Sequence, residues 1–278
     1  MARAISTYFY QHSRLGVPLL DHIRRAGFGA VEIYCTPHHF DYTNSSHVRE
    51  VAGWFSDNAV RLHSLHAPTY RGKAGESPHS VISLAFLDKQ RRQEAMDEIK
   101  RVLDVAERVP FQFLVAHLGI PGEEFDLRKF DAALTSLEHL RLFASQRGVE
   151  VIIENILNDL STPQRLAQFV EHTHMRSLRF CFDSGHAHLD GGVEGALQLL
   201  EGRIASTHLH DNGGARDEHL LPGEGQVSWD KLIPALRRQG SAVCLVLEVR
   251  GSESNPLNLE KAAMAADRLA ALLEESAA

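Results

Sequence analysis

The chain has 278 residues, 44% hydrophobic and 23% charged, and its 29 Lys and Arg against 36 Asp and Glu leave a formal charge of −7. This composition suits a folded globular chain with a large core and excludes general disorder. The acidic balance disfavours a protein held mainly by non-specific nucleic-acid contacts, although a local basic cleft stays open.

The opening residues MARAISTYFYQHSRLG lack the apolar core of a secretory signal, and no run approaches the ~18 apolar residues of a membrane span. Cys35, Cys181 and Cys244 are odd in number, far apart and set in or beside apolar runs, so reduced, mostly buried thiols in a cytoplasmic protein are expected. Histidine stands out with 17 copies, which directs attention to metal ligands.

In chain order, short apolar β-branched runs predict strands at Ala4–Phe9, Ala30–Tyr34, Val60–His66, Phe113–His117, Val149–Glu154, Leu178–Asp183, Ile204–His210 and Ala242–Val249. Segments of helical period alternate with them at about 17–26, 47–58, 89–108, 127–147, 163–172, 193–201, 229–239 and 257–275. Ser161-Thr162-Pro163 and Ser228 are start signals for two of these, and Leu127, Phe130, Leu134, Leu137, Leu140 and Leu142 trace one apolar stripe. Eight strand-then-helix units without a linker predict one domain over 1–278, a single (β/α)8 TIM barrel. A doubly wound sheet is the alternative, but no GxGxxG follows the first strand. The stretch from Pro68 to about Asp88, with Arg71 and Lys73, is too long for a simple connector and reads as a lid or substrate loop.

In such a barrel the active site gathers at the carboxyl ends of the strands. Those ends, with their following loops, supply His66, His117, Glu154, Asp183, His186, His208, Asp217, His219 and Glu248. Ionised carboxylates at the ends of apolar strands are costly without partners or metal, and imidazole with carboxylate suits a divalent ion rather than a thiolate site. Arg250 and Glu32 are candidate substrate contacts. Arg250 follows Glu248 by two residues; the bland reading is a salt bridge within the barrel. Glu32, a charge in an apolar strand, is expected at the mouth, hydrogen-bonded to a ligand histidine or paired with a Lys or Arg. His38-His39 reads as a solvent-facing pair, and Gly223-Glu224-Gly225 as a turn with a weak claim to be a phosphate cradle.

The pieces IIEN, FDSGHAHLDGG, HLHDN, HLLPGEGQVSW and LEV make the sequence resemble the xylose isomerase-like superfamily of (β/α)8 barrels. That group holds sugar isomerases and epimerases together with family-2 abasic-site endonucleases. The resemblance implies one metal on Glu154, Asp183, His208 and Glu248 as in the epimerases. The endonucleases add ligands matching His66, His117, His186, Asp217 and His219 to hold three ions. Asp-Ser-Gly-His and the HLLPGEG loop look like the epimerase branch, since the endonucleases usually carry Asp-x-Cys-His.

The resemblance thus implies a cytoplasmic enzyme of carbohydrate metabolism, an isomerase or epimerase of a small sugar, keto-sugar or polyol that works through a metal-stabilised enediolate. Manganese, zinc, cobalt or magnesium is the expected ion, in one to three copies. Glu154 and Glu248 are the acid/base candidates, and His186 orients a substrate hydroxyl or binds a second ion. The alternative is a three-metal phosphodiesterase acting on nucleic acid, with Arg71, Lys73 and Arg216 as its candidate basic rim. A non-catalytic metal-binding barrel is a third reading. No membrane partner is expected, and a homo-oligomer is compatible with the sequence.

Overall fold

The apolar runs become strands because each is too short for a helix and is covered on its outer face by the amphipathic segment that follows it. The computed structural model describes residues 3–71, 80–239, 243–251 and 257–275. Its strands are β1 (Ala4–Ser6), β2 (Ala30–Tyr34), β3 (Arg61–His66), β4 (Phe113–Ala116), β5 (Glu150–Glu154), β6 (Phe180–Asp183), β7 (Ile204–His208) and β8 (Val246–Leu247). Helices α1 (Val17–Arg25), α2 (Ser45–Asp57), α3 (Lys89–Leu103), α4 (Leu127–Ser145), α5 (Pro163–Thr173), α6 (Ser184–Leu189), α7 (Val193–Leu199), α8 (Trp229–Arg238) and α9 (Leu259–Glu275) alternate with them. All strand pairs are parallel, in the order β7-β6-β5-β4-β3-β2-β1-β8, and parallel bridges Ser206–Cys244 and Leu209–Leu247 bring the two ends together. The fold is the expected single (β/α)8 TIM barrel.

Several boundaries differ from the sequence expectation. β1 stops at Ser6, whose hydroxyl accepts the Tyr8 amide and starts a 3-10 turn over Thr7–Tyr10. β4 and β7 stop short of His117 and His210, and regular pairing in β8 covers only Val246–Leu247. α6 was not expected at all; the Asp183 carboxylate caps it by accepting the His186 amide. In α4, Phe130, Leu137 and Leu140 are buried but Leu127 and Leu142 are exposed. Leu142 lies two residues from Leu140, about 200° around the helix, so it cannot share that face.

Two register slips decide what points into the barrel. In β3 the pairing passes from Val31–Leu62 to Glu32–Ser64, leaving His63 as an extra residue. His63 and Ser64 both turn inward, His63 onto the Ser206 hydroxyl and Ser64 onto Glu32. Without this bulge the two-residue alternation would carry His66 to the outer face. In β7, Ala205 is the extra residue opposite Phe180/Cys181, so Ala205 and Ser206 both face the interior and His208 follows inward.

The sequence pair His38-His39 is split by the fold: His38 is exposed and His39 is fully buried. The His39 ring bonds the Ser13 carbonyl and, at 2.9 Å, the Thr7 hydroxyl, so it braces the loops that follow β1 and β2 rather than facing solvent. Burial lowers its pKa to about 4, with the Ser13 bond only partly opposing. As pH falls, the unfolded chain therefore takes up this proton first, and stability is lost between about 6.5 and about 4. Relative to His39→Gln, the wild type should lose about 1.4 kcal/mol of unfolding free energy per pH unit in that window. Urea titrations of both proteins at pH 7, 6 and 5 check this; parallel pH slopes would show that His39 is not buried as a neutral ring.

Candidate metal centre

Alternation carries chemistry to the last inward position of most strands. On β2 it is Glu32 then Tyr34; on β3, His66; past β4, His117; on β5, Glu154; on β6, Asp183; on β7 and beyond, His208 then His210; past β8, Glu248 then Arg250. All nine predicted ligands converge. One oxygen or nitrogen from each of Glu154, Asp183, His208 and Glu248 lies within 4.8 Å of the others, and His66, Glu154 and His208 form a second such set. His117 Nε2 stands 3.0 Å from Glu154 Oε2. A third set holds His186, Asp217 and His219 together with His210, which the sequence reading missed. Its signal was present in HLHDN, since residues two apart in a strand share a face.

The hydrogen bonds of the histidines say what the convergence is for. His208 Nε2 donates to Glu32 at 3.1 Å, which leaves the Nδ1 lone pair facing Glu154 Oε1 at 3.0 Å and Glu248 Oε2 at 3.6 Å. His66 Nδ1 donates to the Ala67 carbonyl at 2.8 Å, so Nε2 faces Glu154 Oε2 at 3.1 Å. Neutral imidazole lone pairs aimed at carboxylates repel unless a cation lies between them. The buried His208 Nδ1 has no hydrogen-bond partner among the described residues, as a metal ligand would not. The donor set and its outer hydrogen bonds fit a divalent ion.

Without an ion, protons take the cation's place. Burial alone would push the Glu154 carboxyl up, but His208, His117 and His66 hold it well below the usual carboxylate range. His66 and His219 are raised despite burial by the surrounding carboxylates, His208 by Cys181 and then by Glu248, Glu32 and Glu154, and His186 rises to about 10, chiefly through Asp183 once burial is overcome. Glu248 goes the other way: burial and the Glu154 charge outweigh His208 and bring it up to about 7. Metal binding is thereby coupled to proton release.

Above this floor lies a cavity of about 520 Å³, open at the strand ends and bordered by Tyr8, Tyr34, Ile120, Ile156 and Arg250. Arg250 donates to the Tyr8 hydroxyl and has no carboxylate partner among the described residues, so the salt bridge considered for it is not observed. Glu32 is corrected as a candidate substrate contact. It is fully buried beneath the cavity, does not border it, and is bonded to His208 and Ser64, as the expected hydrogen bond to a strand-end histidine requires. The glycine turn is no phosphate cradle: the Gly223 and Val227 amides and the Trp229 indole donate to the Asp211 carboxylate instead, each at 2.8–2.9 Å.

The ends of the long loop after Pro68 form a two-residue ribbon, Tyr70 opposite Val81, that borders the cavity. Lys73 and the predicted tip lie outside the described residues. Arg71 is paired with Glu94 at 2.8 Å, and Arg216 is exposed. All three cysteines are buried, as expected. No helix among the described residues is long and apolar enough to cross a membrane.

Comparison with known proteins agrees with this architecture. Among curated relatives, the protein named Uncharacterized protein y4fM of Sinorhizobium fredii is 25% identical over 199 residues, covering 65% of this chain and 64% of its own length, so the match spans less than two thirds of that relative. A Probable endonuclease 4 of Mycobacterium leprae is 25% identical over 179 residues, covering 59% of this chain and 68% of its own. Two solved structures share the fold with a TM-score of 0.80. A D-tagatose 3-epimerase-like protein is 21% identical over 100% of both chains, and an IolI protein solved with a zinc atom is 18% identical over 99% of both. The family model described as xylose isomerase-like TIM barrel matches residues 20–273, nearly the whole barrel, and the chain belongs to that family.

Proposed function

We propose that this chain is a divalent-metal-dependent isomerase or epimerase of a small sugar, keto-sugar or polyol. The observation that carries this reading is the His208 lone pair, aimed by Glu32 at Glu154 and Glu248 on the floor of a small cavity. The D-tagatose 3-epimerase-like protein and the zinc-bound IolI protein, which share the fold, support it.

Glu154, Asp183, His208 and Glu248 hold the ion, with manganese, zinc, cobalt or magnesium as candidates. When bound, the ion supplies Lewis acidity toward adjacent carbonyl and hydroxyl oxygens of the sugar. Glu154 and Glu248 both border the cavity and are the candidate bases. One carboxylate takes the proton from the carbon beside the carbonyl, and the C–H electron pair moves to form the enediolate. The other returns a proton to the opposite face of the same carbon and the carbonyl re-forms; for isomerisation the proton goes to the former carbonyl carbon while the neighbouring hydroxyl proton passes to the old carbonyl oxygen, so the carbonyl moves by one carbon. Tyr8 and Tyr34 wall the cavity against water, and Arg250 offers its guanidinium to a substrate oxygen or anionic group.

The test is solvent exchange. Ketoses and keto-polyols incubated with the manganese-loaded protein in D2O should gain deuterium beside the carbonyl, and chelation should stop it. No exchange across the panel, by nuclear magnetic resonance, would remove the proton-transfer mechanism.

Three-metal phosphodiester hydrolysis is the second reading, favoured by the convergence of all nine ligands and by the endonuclease 4 relative. The described surroundings support it less: Arg71 is engaged by Glu94, and the Gly223 amide of the glycine turn is taken by Asp211. Cleavage of an abasic-site duplex by the zinc-loaded protein is its direct assay.

A further inference from the structure

The cavity above the proposed reaction site has two unlike walls. Ile120, Pro121, Ile156 and Leu157, beyond the ends of β4 and β5, make one side apolar. Beyond the ends of β1 and β8 the other side carries Tyr8, Gln11, His12 and Arg250. Arg250 is the one Lys or Arg among the described residues that border the cavity. Arg3, Arg14, Arg71, Arg147 and Arg179 each pair with a carboxylate. Arg250 has no such partner among the described residues and rests on a phenol instead.

Its place is nonetheless fixed. The Arg250 main-chain N–H donates to the His219 carbonyl at 2.9 Å. The guanidinium lies 5.3 Å from the centre of the Tyr8 ring, which is held edge-on by Tyr34 at 5.0 Å and lies 4.8 Å from His219. The 3-10 turn over Thr7–Tyr10 brings Tyr8, and just past it Gln11 and His12, to the same rim. The Tyr8 hydroxyl accepts from Nη2 alone, so the rest of the guanidinium fork has no carboxylate to engage among the described residues.

We propose that the substrate is a sugar acid, its carboxylate held by the Arg250 fork beside Tyr8 and Gln11 and its carbonyl end on the floor of the cavity. This rests on the isomerase or epimerase reading and narrows it. A neutral hydroxyl needs no permanent cation at the rim. A phosphate dianion asks for a second permanent cation or a nest of main-chain amides. The described lining offers no second Lys or Arg, and the Gly223 amide of the turn after β7 is taken by Asp211. One guanidinium matches one carboxylate in charge and in its two parallel N–H donors. Arg250 follows Glu248 by two residues, at most about 7 Å of chain, so the two side chains serve opposite ends of one small molecule. The apolar wall is left to cover the C–H face of its carbon chain.

Two measurements separate this proposal from the reading beneath it. The first is calorimetric binding of D-gluconate, which has no carbonyl to react, against D-glucitol, on manganese-loaded protein without free metal. Gluconate should bind at least about tenfold more tightly, and Arg250→Gln should lose about 10–100-fold of its affinity, as expected when charged hydrogen bonds are removed. Position 250 is exposed, so the variant should keep its far-UV circular dichroism. Unchanged gluconate affinity in the folded variant would overturn the proposal, since the carboxylate would then sit elsewhere, on the ion included. The second is deuterium exchange of D-fructose, D-fructose 6-phosphate and D-fructuronate, which differ only at the remote carbon. The acid should show the highest kcat/KM, and its advantage over fructose should shrink by about 10–100-fold in Arg250→Gln. Faster exchange of the neutral sugar or the phosphate would overturn the sugar-acid assignment and leave the isomerase reading standing. Arg250-dependent gluconate binding with no exchange in any of the three would sink that reading and leave the carboxylate seat.

Discussion

Replacing Glu248 by Gln is expected to lower turnover by about a thousandfold or more with the far-UV circular dichroism unchanged. Gln preserves the shape of a side chain that is 4% exposed, so the packing at the end of β8 survives. What is lost is a negative oxygen within 3.6 Å of the His208 lone pair and a carboxyl able to exchange protons with the cavity. General acid/base catalysis alone is worth about 10²–10⁴-fold, and a weakened metal site adds to it. Turnover and deuterium exchange, each measured with saturating metal, report the loss. Near-wild-type activity in the folded variant would remove Glu248 from the mechanism under either enzyme reading.

Stripping metal should produce the largest change in stability. The floor gathers Glu154, Asp183 and Glu248 around His208, all buried, and the ion-free chain must fill that space with protons. An ion at about a thousand times its Kd adds about 4 kcal/mol to the folded state. At about 2–4 °C per kcal/mol for a chain of this size, the midpoint should fall by roughly 8–16 °C on chelation and return when manganese or zinc is restored. The loss should also deepen with pH above neutrality, where protons no longer substitute for the ion. Identical melting curves with chelator and with added metal would mean that the cluster is held by protons alone.

Much of this was legible in the chain. Alternating strand and helix periods identify the barrel, and the alternation within each strand places Glu154, Asp183, His208 and Glu248 at one mouth. The same rule already contained His210, two residues after His208, and Tyr34, two after Glu32. The Gly in Asp-Ser-Gly-His was a readable departure from the endonuclease pattern, but its reason, an imidazole lying where a Cβ would be, comes from a loop 25 residues away.

What the sequence determined by itself is the order of elements and the kind of chemistry at their ends, because both follow from local periodicity and residue type. Only the tertiary structure decided which way those groups point and what they lack. The bulge at His63 turns His66 inward through a mismatch between neighbouring strands, which no single strand records. Glu32 selects the free nitrogen of His208 from 176 residues away, and Asp211 takes the Gly223 amide of a turn that looked free to hold phosphate. A proton's position on an imidazole and the burial of a charge depend on partners distant in the chain. They exist only once the barrel has closed.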